Sequence, residues 1–415
     1  MSESTRSQGP PKRLALVSGG GSGGHVFPGL AVARELMARG WTVAWIGRPD
    51  SLESRLLARQ EDIGFHGIPA LPLVGRGPLS QIRSVLMLVR STVRARHLVR
   101  RLGPHVVLGT GGYASVPAVL GARLAGVPTV LLEPNAEAGM ANRLLSRFVS
   151  EATVAHDRTA GGLRCPATTT GVPVRAEFFD VTDSLPNDEP LHLLVLGGSQ
   201  GARSLNEALP EAVASLRLGG PLFVRHQTGA AHVESTYRRW NQADIEVCSN
   251  VDGSGPGWRP DGPSVQVEVT PFLSDVAGAM AESHLILSRA GAITLAEICA
   301  AGRASLLLPL ALAGGHQEAN ARRLEDAGAA EVLVHRATPG EVHGTEAFQA
   351  ALSTVLGTLL ADPERLASMA AKAHDLGRRA AAGAIADRLE TRALEARRNG
   401  ESGAWPRPAT KGGTV

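Results

Sequence analysis

Six short stretches carry the residue types able to do chemistry, and each lies where an apolar run ends: GGGSGGH at 19–25, GTGGY at 109–113, EPN at 133–135, GGSQGARSLNE at 197–207, SRAGAITLAE at 288–297 and GGHQEANA at 314–321. Glycines at a strand end let the backbone turn tightly and bring its N–H donors close to a bulky group. A helix starting just beyond such a turn favours negative charge. Phosphate-bearing ligands are the natural occupants. Gly19, Gly21 and Gly24 also satisfy the GxGxxG dinucleotide pattern, which alone is weak and describes many ordinary strand–helix turns.

Around these turns stand specific side chains. His25 follows the first turn and is a candidate base or acceptor-orienting group; the alternative is a helix-start histidine bonded only to the loop. Glu133 and Asn135 put a carboxylate and an amide at a strand end, where each could equally stabilise a turn. Ser199, Gln200 and Gly201 would offer a hydroxyl and backbone N–H donors to a diphosphate. Arg289 and the helix beginning near Thr294 would face a nucleotide, with Glu297 one turn inside to accept from ribose hydroxyls. His316, Gln317 and Asn320 close the last loop.

The elements that must position these residues read as two series of alternating strands and helices. Strands are expected at 13–17, 42–47, 106–109, 129–132 and 152–156, then at 191–196, 222–226, 265–269, 285–288, 304–308 and 331–334. A first helix is expected over 28–39, its start set by Pro28 and its end by Gly40. Such alternation predicts parallel sheets with helices on both faces, binding at the carboxyl ends of their strands. The polar run VTDSLPNDEP at 181–190 reads as the linker, 252–264 as a surface loop without stable structure of its own, and the end of the chain as a disordered tail.

Composition narrows the class further. A chain of 415 residues that is 43% hydrophobic suits two globular domains. Cys165, Cys248 and Cys299 are far apart without a CxxC pair, which argues against a disulfide framework or zinc site and fits a reducing cytosol. The N-terminus is polar, and no run is long and apolar enough to suggest a signal peptide or membrane span. The net charge of +3 conceals an asymmetry, since residues 1–150 hold 18 Lys/Arg against 8 Asp/Glu.

That surplus concentrates in 76–101, RGPLSQIRSVLMLVRSTVRARHLVRR. Leu79, Ile82, Leu86, Val89 and Val93 recur at helical spacing among Arg76, Arg83, Arg90, Arg94, Arg96, Arg100 and Arg101. A basic amphipathic helix suits an anionic membrane surface; its plain alternative is a core-facing stripe with solvated arginines. No aromatic residues are interleaved for base stacking, which argues against nucleic acid.

The ordered set of glycine motifs over about residues 13–395 resembles the MurG family of N-acetylglucosaminyltransferases. The resemblance implies an α/β fold of the GT-B type, two Rossmann-like domains with an interdomain cleft. It implies inverting transfer of N-acetylglucosamine from UDP-N-acetylglucosamine to lipid I (undecaprenyl-diphospho-muramoyl-pentapeptide), giving lipid II for peptidoglycan. The acceptor and membrane side would occupy 13–180 and the donor side 191–375, with a helix over 376–398 packing back toward the N-terminal domain and 400–415 as the tail. Implied donor contacts are Ser22, Gly23, Gly24, Asn135, Arg175, Ser199, Leu273, Ala292, Ile293, Thr294, Leu295, Ala296, Glu297 and Gln317. His25 and Tyr113 match acceptor-side positions. Leu79, Ile82, Arg83, Leu86, Val89 and Arg90 match a membrane patch, placing the protein peripherally on the cytoplasmic face of the plasma membrane. Two departures stand out: Pro134 where the family commonly has a polar residue, and Ser22 where threonine is frequent.

Displacement at the anomeric carbon needs a general base, for which His25 and Glu133 are both candidates. No DxD run occurs, so neither a metal nor another cofactor is expected. Two alternatives are a different UDP-sugar transferase with a lipid acceptor and, more remotely, an NAD-dependent oxidoreductase. The latter expects an acid at the end of the second strand, where Gly47-Arg48-Pro49 stands instead.

Overall fold

A computed structural model describes residues 13–70, 78–181, 185–186, 190–198, 201–248, 258–310, 316–334 and 346–400. The chain forms two compact units. The first runs to Pro173 and regains the chain from Ala380 onward; the second comprises Val174–Arg379.

In the first unit seven strands form one parallel sheet: β1 Leu14–Ser18, β2 Thr42–Gly47, β3 Gly64–Gly67, β4 Val106–Gly109, β5 Thr129–Glu133, β6 Glu151–Val154 and β7 Ala167–Thr169. Their order is β3-β2-β1-β4-β5-β6-β7. The direction of winding reverses between β1 and β4, and loops leaving the carboxyl ends of those strands border the crevice where such sheets bind ligands. The turns at 19–25 and 109–113 are those two loops.

The second unit repeats the plan with β8 Leu191–Leu196, β9 Leu222–Gln227, β10 Glu246–Val247, β11 Val265–Thr270, β12 Leu285–Ser288, β13 Ser305–Leu307 and β14 Ala330–Val332. The order β10-β11-β9-β8-β12-β13-β14 reverses between β8 and β12. Gly197–Gly201 leaves β8 and Arg289–Gly291 leaves β12. Central strands read as unbroken apolar runs because both faces are covered. Leu193, Val195, Leu285 and Leu287 pack into one layer, and Leu194, Leu196 and Ile286 into the other.

Several expectations need correction. The first helix spans Gly23–Ala38 and carries Pro28 in its interior. Pro28 was a persuasive start signal, but the glycines before it are held helical by the tertiary packing around His25. The chain leaves the first unit at Pro173, before the polar run at 181–190, and Ala176–Asp180 is a 3-10 turn of the second unit. Within 252–264, residues 258–264 form a tethered turn. The side chain of Gln266, fully buried, accepts from Arg259 N and donates to the carbonyls of Arg259 and Pro263. Residues 251–257 and the tail from 401 lie outside the described residues. Three strands at the sheet ends, β3, β7 and β10, are short and poor in apolar side chains, which is why their sequences gave no strand signal.

The last helix, Ala381–Gly400, belongs to the first unit. It buries Ile385, Ala386 and Leu389 against Val17, Trp45 and Leu132, on the layer that also holds the Gly23–Ala38 helix. Each large side chain removed from water there is worth roughly 1.5–3 kcal/mol. Polar contacts fix its register. Arg39 bonds Asp387 and Glu390, and the Trp41 indole N–H donates to Glu390. Glu151, on β6 and 1% exposed, accepts from Thr168, Arg388 and Arg392 at 2.6–2.9 Å.

Burial pushes the Glu151 carboxyl upward, but the bonds from Arg388, Thr168 and Arg392 outweigh it, and the net shift is below the ordinary carboxylate value. A depressed carboxyl stabilises the fold above its unfolded pKa and loses that contribution as pH falls through the folded one. Glu151→Ala is expected to cost about 2 kcal/mol in urea unfolding at pH 7. That is less than for a fully buried pair, because both arginines remain partly in water. The difference should shrink as the pH is lowered below about 4; a cost that is unchanged there would contradict the electrostatic origin.

Candidate functional site

Each of the two units carries its own cluster of candidate residues. In the first, the Gly23–Ala38 helix begins without a side-chain cap, and Gly21 adopts φ +89°, a left-handed conformation that suits glycine. Ser22 occupies the N-cap, with Gly23 and Gly24 in the first turn. A residue without any sequence signal controls this loop. Glu53, fully buried, accepts from Gly21 N at 3.2 Å and from Arg48 N at 3.1 Å. A carboxylate therefore already occupies the Gly21 amide, which corrects the picture of the whole turn as a phosphate cradle. The amides of Ser22, Gly23 and Gly24, at the helix start, remain the candidates for that role.

His25 projects from the first helical turn onto the second glycine loop. Its Nδ1 lies 3.0 Å from Thr110 O, and a carbonyl only accepts, so the ring proton sits on Nδ1, and among the described residues the Nε2 lone pair has no hydrogen-bond partner. Thr110 Oγ1 donates to His25 O at 2.6 Å, locking the same turn from the other side. Gly111 and Gly112 have positive φ, and a Cβ on either would come within 3.0 Å of the imidazole. Burial lowers the His25 pKa, against smaller upward pulls from the Thr110 carbonyl, Glu133 and Glu53. The ring is thus neutral and oriented, as a general base would need to be.

Glu133 is not in that position. It is 1% exposed, with Oε1 accepting from Asn135 N and Nδ2 at 3.0 and 2.8 Å, and Oε2 from Gly139 N and Asn142 Nδ2 at 2.8 and 3.0 Å. Four donors fill its four lone-pair directions. It folds the 133–142 turn, and its candidacy as the base falls on that account. Asn135 spends its amide on the same carboxylate. Tyr113 accepts from Arg48 Nη1 at 2.8 Å, lies under the guanidinium at 5.9 Å, and flanks Gly21. Arg48 stands at the end of β2, where a dinucleotide-binding fold would put its acidic ribose ligand.

In the second unit, Gly198 and Gly201 take φ +77° and +76°. Gly201 is packed so closely that a Cβ would lie 2.0 Å from Thr228 O. Ser199 and Gln200 fall outside the described residues. The helix Arg203–Ala214 follows, and Arg289 reaches it from β12: its guanidinium donates to Ser204 Oγ and, at 2.9 Å, to Leu308 O. Burial draws the Arg289 pKa down.

A second helix, Ala292–Ala300, also starts uncapped, two residues earlier than expected. Ile293 and Leu295 are buried and can offer a ligand only backbone, whereas Ala292, Thr294 and Ala296 are half-buried. Glu297, 9% exposed, lies 3.6 Å from Arg175 Nη2. Arg175 also pairs with Glu177 at 2.8 Å and sits 4.8 Å over the Phe178 ring. Burial pushes the Glu297 carboxyl up to about 7, against the pull of Arg175. Leu273 packs half-buried beside exposed Phe272. Gln317 accepts from Leu310 N at 2.9 Å, and Asn320 Nδ2 donates to Ala290 O at 3.3 Å, so both brace loops at the same sheet edge.

The basic helix, Pro78–Leu102, is inverted relative to an ordinary surface helix. It buries Ser84, Ser91, Thr92, Ala95 and Val99, while Val85, Leu86, Val89 and Val93 are 47–60% exposed alongside exposed Arg83, Arg90 and Arg94. The core-stripe alternative fails, because small side chains face inward. The side chains of Leu79 and Ile82 lie outside the described residues. Sequence reasoning missed Met140, Leu144 and Phe148, likewise exposed and interspersed with Arg143 and Arg147. Among the described residues no helix is long and apolar enough to cross a membrane.

Comparison with known proteins adds independent findings. The glycosyltransferase family 28 N-terminal domain matches residues 15–154 and the C-terminal domain of the same family matches 192–386. A UDP-N-acetylglucosamine--N-acetylmuramyl-(pentapeptide) pyrophosphoryl-undecaprenol N-acetylglucosamine transferase of Stutzerimonas stutzeri is 40% identical over 375 residues, covering 90% of this chain and 96% of the relative. Its namesake from Pseudomonas aeruginosa is 38% identical over 381 residues, 91% of this chain and 98% of the relative. Among solved structures, Acinetobacter baumannii MurG has a TM-score of 0.69 at 31% identity, covering 92% of this chain and all of that one. A kitacinnamycin glycosyltransferase, at 19% identity and TM-score 0.58 over 92% of this chain and all of that one, shares the fold.

Proposed function

The chain belongs to glycosyltransferase family 28 and, within it, to the MurG family, and on that footing we propose that it transfers N-acetylglucosamine from UDP-N-acetylglucosamine to lipid I, with inversion, to form lipid II. The observation that carries the donor half is the meeting, at the carboxyl ends of β8 and β12, of a glycine turn, two uncapped helix starts and the Arg289 guanidinium. Negative charge accumulates on the diphosphate as UDP departs. Helix amides and a partly desolvated guanidinium stabilise it without reorganisation. Leu273 offers backbone to the uracil, Glu297 accepts from the ribose, and Arg175 and Gln317 complete the donor contacts. The lack of a DxD run and the presence of Arg289 support a reaction without a metal or other cofactor.

On the acceptor side, His25 Nε2 takes the proton from the attacking hydroxyl of lipid I. The oxygen then bonds to the anomeric carbon as the bond to UDP breaks. Thr110 fixes the tautomer, and Glu133 supports the resulting imidazolium from a distance. The exposed apolar row on Pro78–Leu102, with its arginines, supports peripheral docking on the cytoplasmic face of the plasma membrane. Each buried leucine or valine would add roughly 1.5–3 kcal/mol and each nearby arginine about 1 kcal/mol.

A transfer assay offering lipid I with radiolabelled UDP-N-acetylglucosamine, UDP-glucose or UDP-N-acetylgalactosamine is expected to give product from the first alone, equally well in excess chelator. His25→Gln should lower kcat by about 10²–10⁴ with little change in donor KM. Absence of transfer from UDP-N-acetylglucosamine would sink the reading, and activity lost to chelator and restored by magnesium would refute metal independence.

Glu297 gives a pH-dependent signature. Its carboxylate form, needed for two ribose hydroxyls, predominates only above pH about 7. Uridine affinity is therefore expected to fall roughly tenfold from pH 8 to pH 6 in the native chain and to stay flat in Glu297→Gln. In the unliganded protein the sign is opposite: a raised carboxyl favours folding below about 4.5 and loses that contribution as pH rises through 7. A flat uridine profile in the native chain would remove Glu297 from the ribose.

For membrane docking, co-sedimentation with phosphatidylglycerol vesicles should exceed that with phosphatidylcholine and weaken as salt rises. Leu86→Glu with Val89→Glu is expected to reduce it at least about tenfold. Equal binding to both vesicle types would contradict the proposed surface.

A further inference from the structure

We propose that a buried hydrogen-bond relay, Trp240–His226–Asn206, holds the phosphate-facing glycine turn of the second unit in place, making His226 a positioning residue for the donor diphosphate. The proposal rests on the UDP-sugar reading given above.

The relay has one possible direction. Trp240 and His226 are both 0% exposed, and an indole nitrogen only donates. Trp240 Nε1 lies 3.2 Å from His226 Nδ1, so Nδ1 accepts and the imidazole proton must sit on Nε2. Nε2 then donates to Asn206 Oδ1 at 3.0 Å. With its oxygen so engaged, the Asn206 amide turns its nitrogen to Thr228 O, again at 3.0 Å. Each bond sets the orientation of the next, and burial keeps the imidazole neutral, its pKa lowered to about 3.

Thr228 O is the endpoint because Gly201 rests on it, as shown by the 2.0 Å approach a Cβ would make. The residue before it holds the start of the turn: Gln227 O accepts from Gly197 N at 3.2 Å, and Gln227 Nε2 donates to Gly198 O at 3.0 Å. Asn206 itself lies one turn into the helix whose amino end faces the turn, beside Ser204, the partner of Arg289. A core needing only volume would be served by three apolar side chains. A fully satisfied polar relay costs more to bury and returns a single geometry.

The readout separating positioning from bulk stability is phosphate-specific affinity, measured by calorimetry with UDP and with uridine. His226→Phe retains volume and deletes both bonds. It is expected to weaken UDP by roughly tenfold while uridine stays within about twofold. His226→Gln, whose carbonyl can accept from Trp240 and whose amide can donate to Asn206, should restore most of the UDP affinity. Trp240→Phe, which removes the first donor together with part of a buried ring, should weaken UDP by about threefold with uridine again within about twofold, and serves if His226→Phe does not fold. Equal losses for UDP and uridine, or native UDP affinity in both phenylalanine variants, would overturn the relay. A native chain that binds neither ligand would instead overturn the donor reading on which it stands.

Discussion

Close approach of backbone to backbone at the carboxyl ends of parallel strands is the constraint on which the rest depends. At Gly201 the Cα rests on a carbonyl; at Gly112 a Cβ would come within 2.6 Å of Gly20 O. Both glycines have positive φ. Any side chain there would push a loop off the crevice beside β1 and β4 or beside β8 and β12. In the first unit the His25 imidazole would lose its seat on the second glycine loop, and in the second the helix starts and the Arg289 guanidinium would lose their alignment. Chemistry in this protein is arranged by where side chains are forbidden as much as by where they stand.

Within the first unit, two buried carboxylates, only one of which stands out in the sequence, both brace loops by accepting from backbone amides. Glu133 is saturated by four donors and works as a fold-forming anion. Glu53, on the short helix Leu52–Leu57, enters the loop and takes up Gly21 N. His25 is instead held by Thr110 through Nδ1, and among the described residues its Nε2 makes no hydrogen bond. The contrast follows from hydrogen-bond supply: a carboxylate with every lone-pair direction filled is committed to its loop, whereas an imidazole anchored at Nδ1 still presents Nε2.

The basic helix obeys the same logic at a larger scale. Ser84, Ser91 and Ala95 face inward because the neighbouring helix comes close, with Gly121 set against the Ala95 backbone. Small residues permit that approach and force the large apolar ones outward. An apolar row turned to water beside unbalanced arginines is costly in isolation and favourable against an anionic lipid surface.

Much was legible in the sequence alone. Apolar runs punctuated by glycine specified two doubly wound units, and the order of the glycine motifs specified the family, because strand burial and tight turns leave local signatures. The edge strands β3, β7 and β10, with little apolar content, left none. Tertiary structure alone decided that Glu133 is occupied and His25 is open, that Pro28 lies inside a helix, that Glu53 reaches the first glycine loop, and that His226 connects to Gly201 through Asn206. These depend on contacts between residues distant along the chain. Hydrogen-bond partners of that kind are chosen by packing, and no local pattern of residues records the choice.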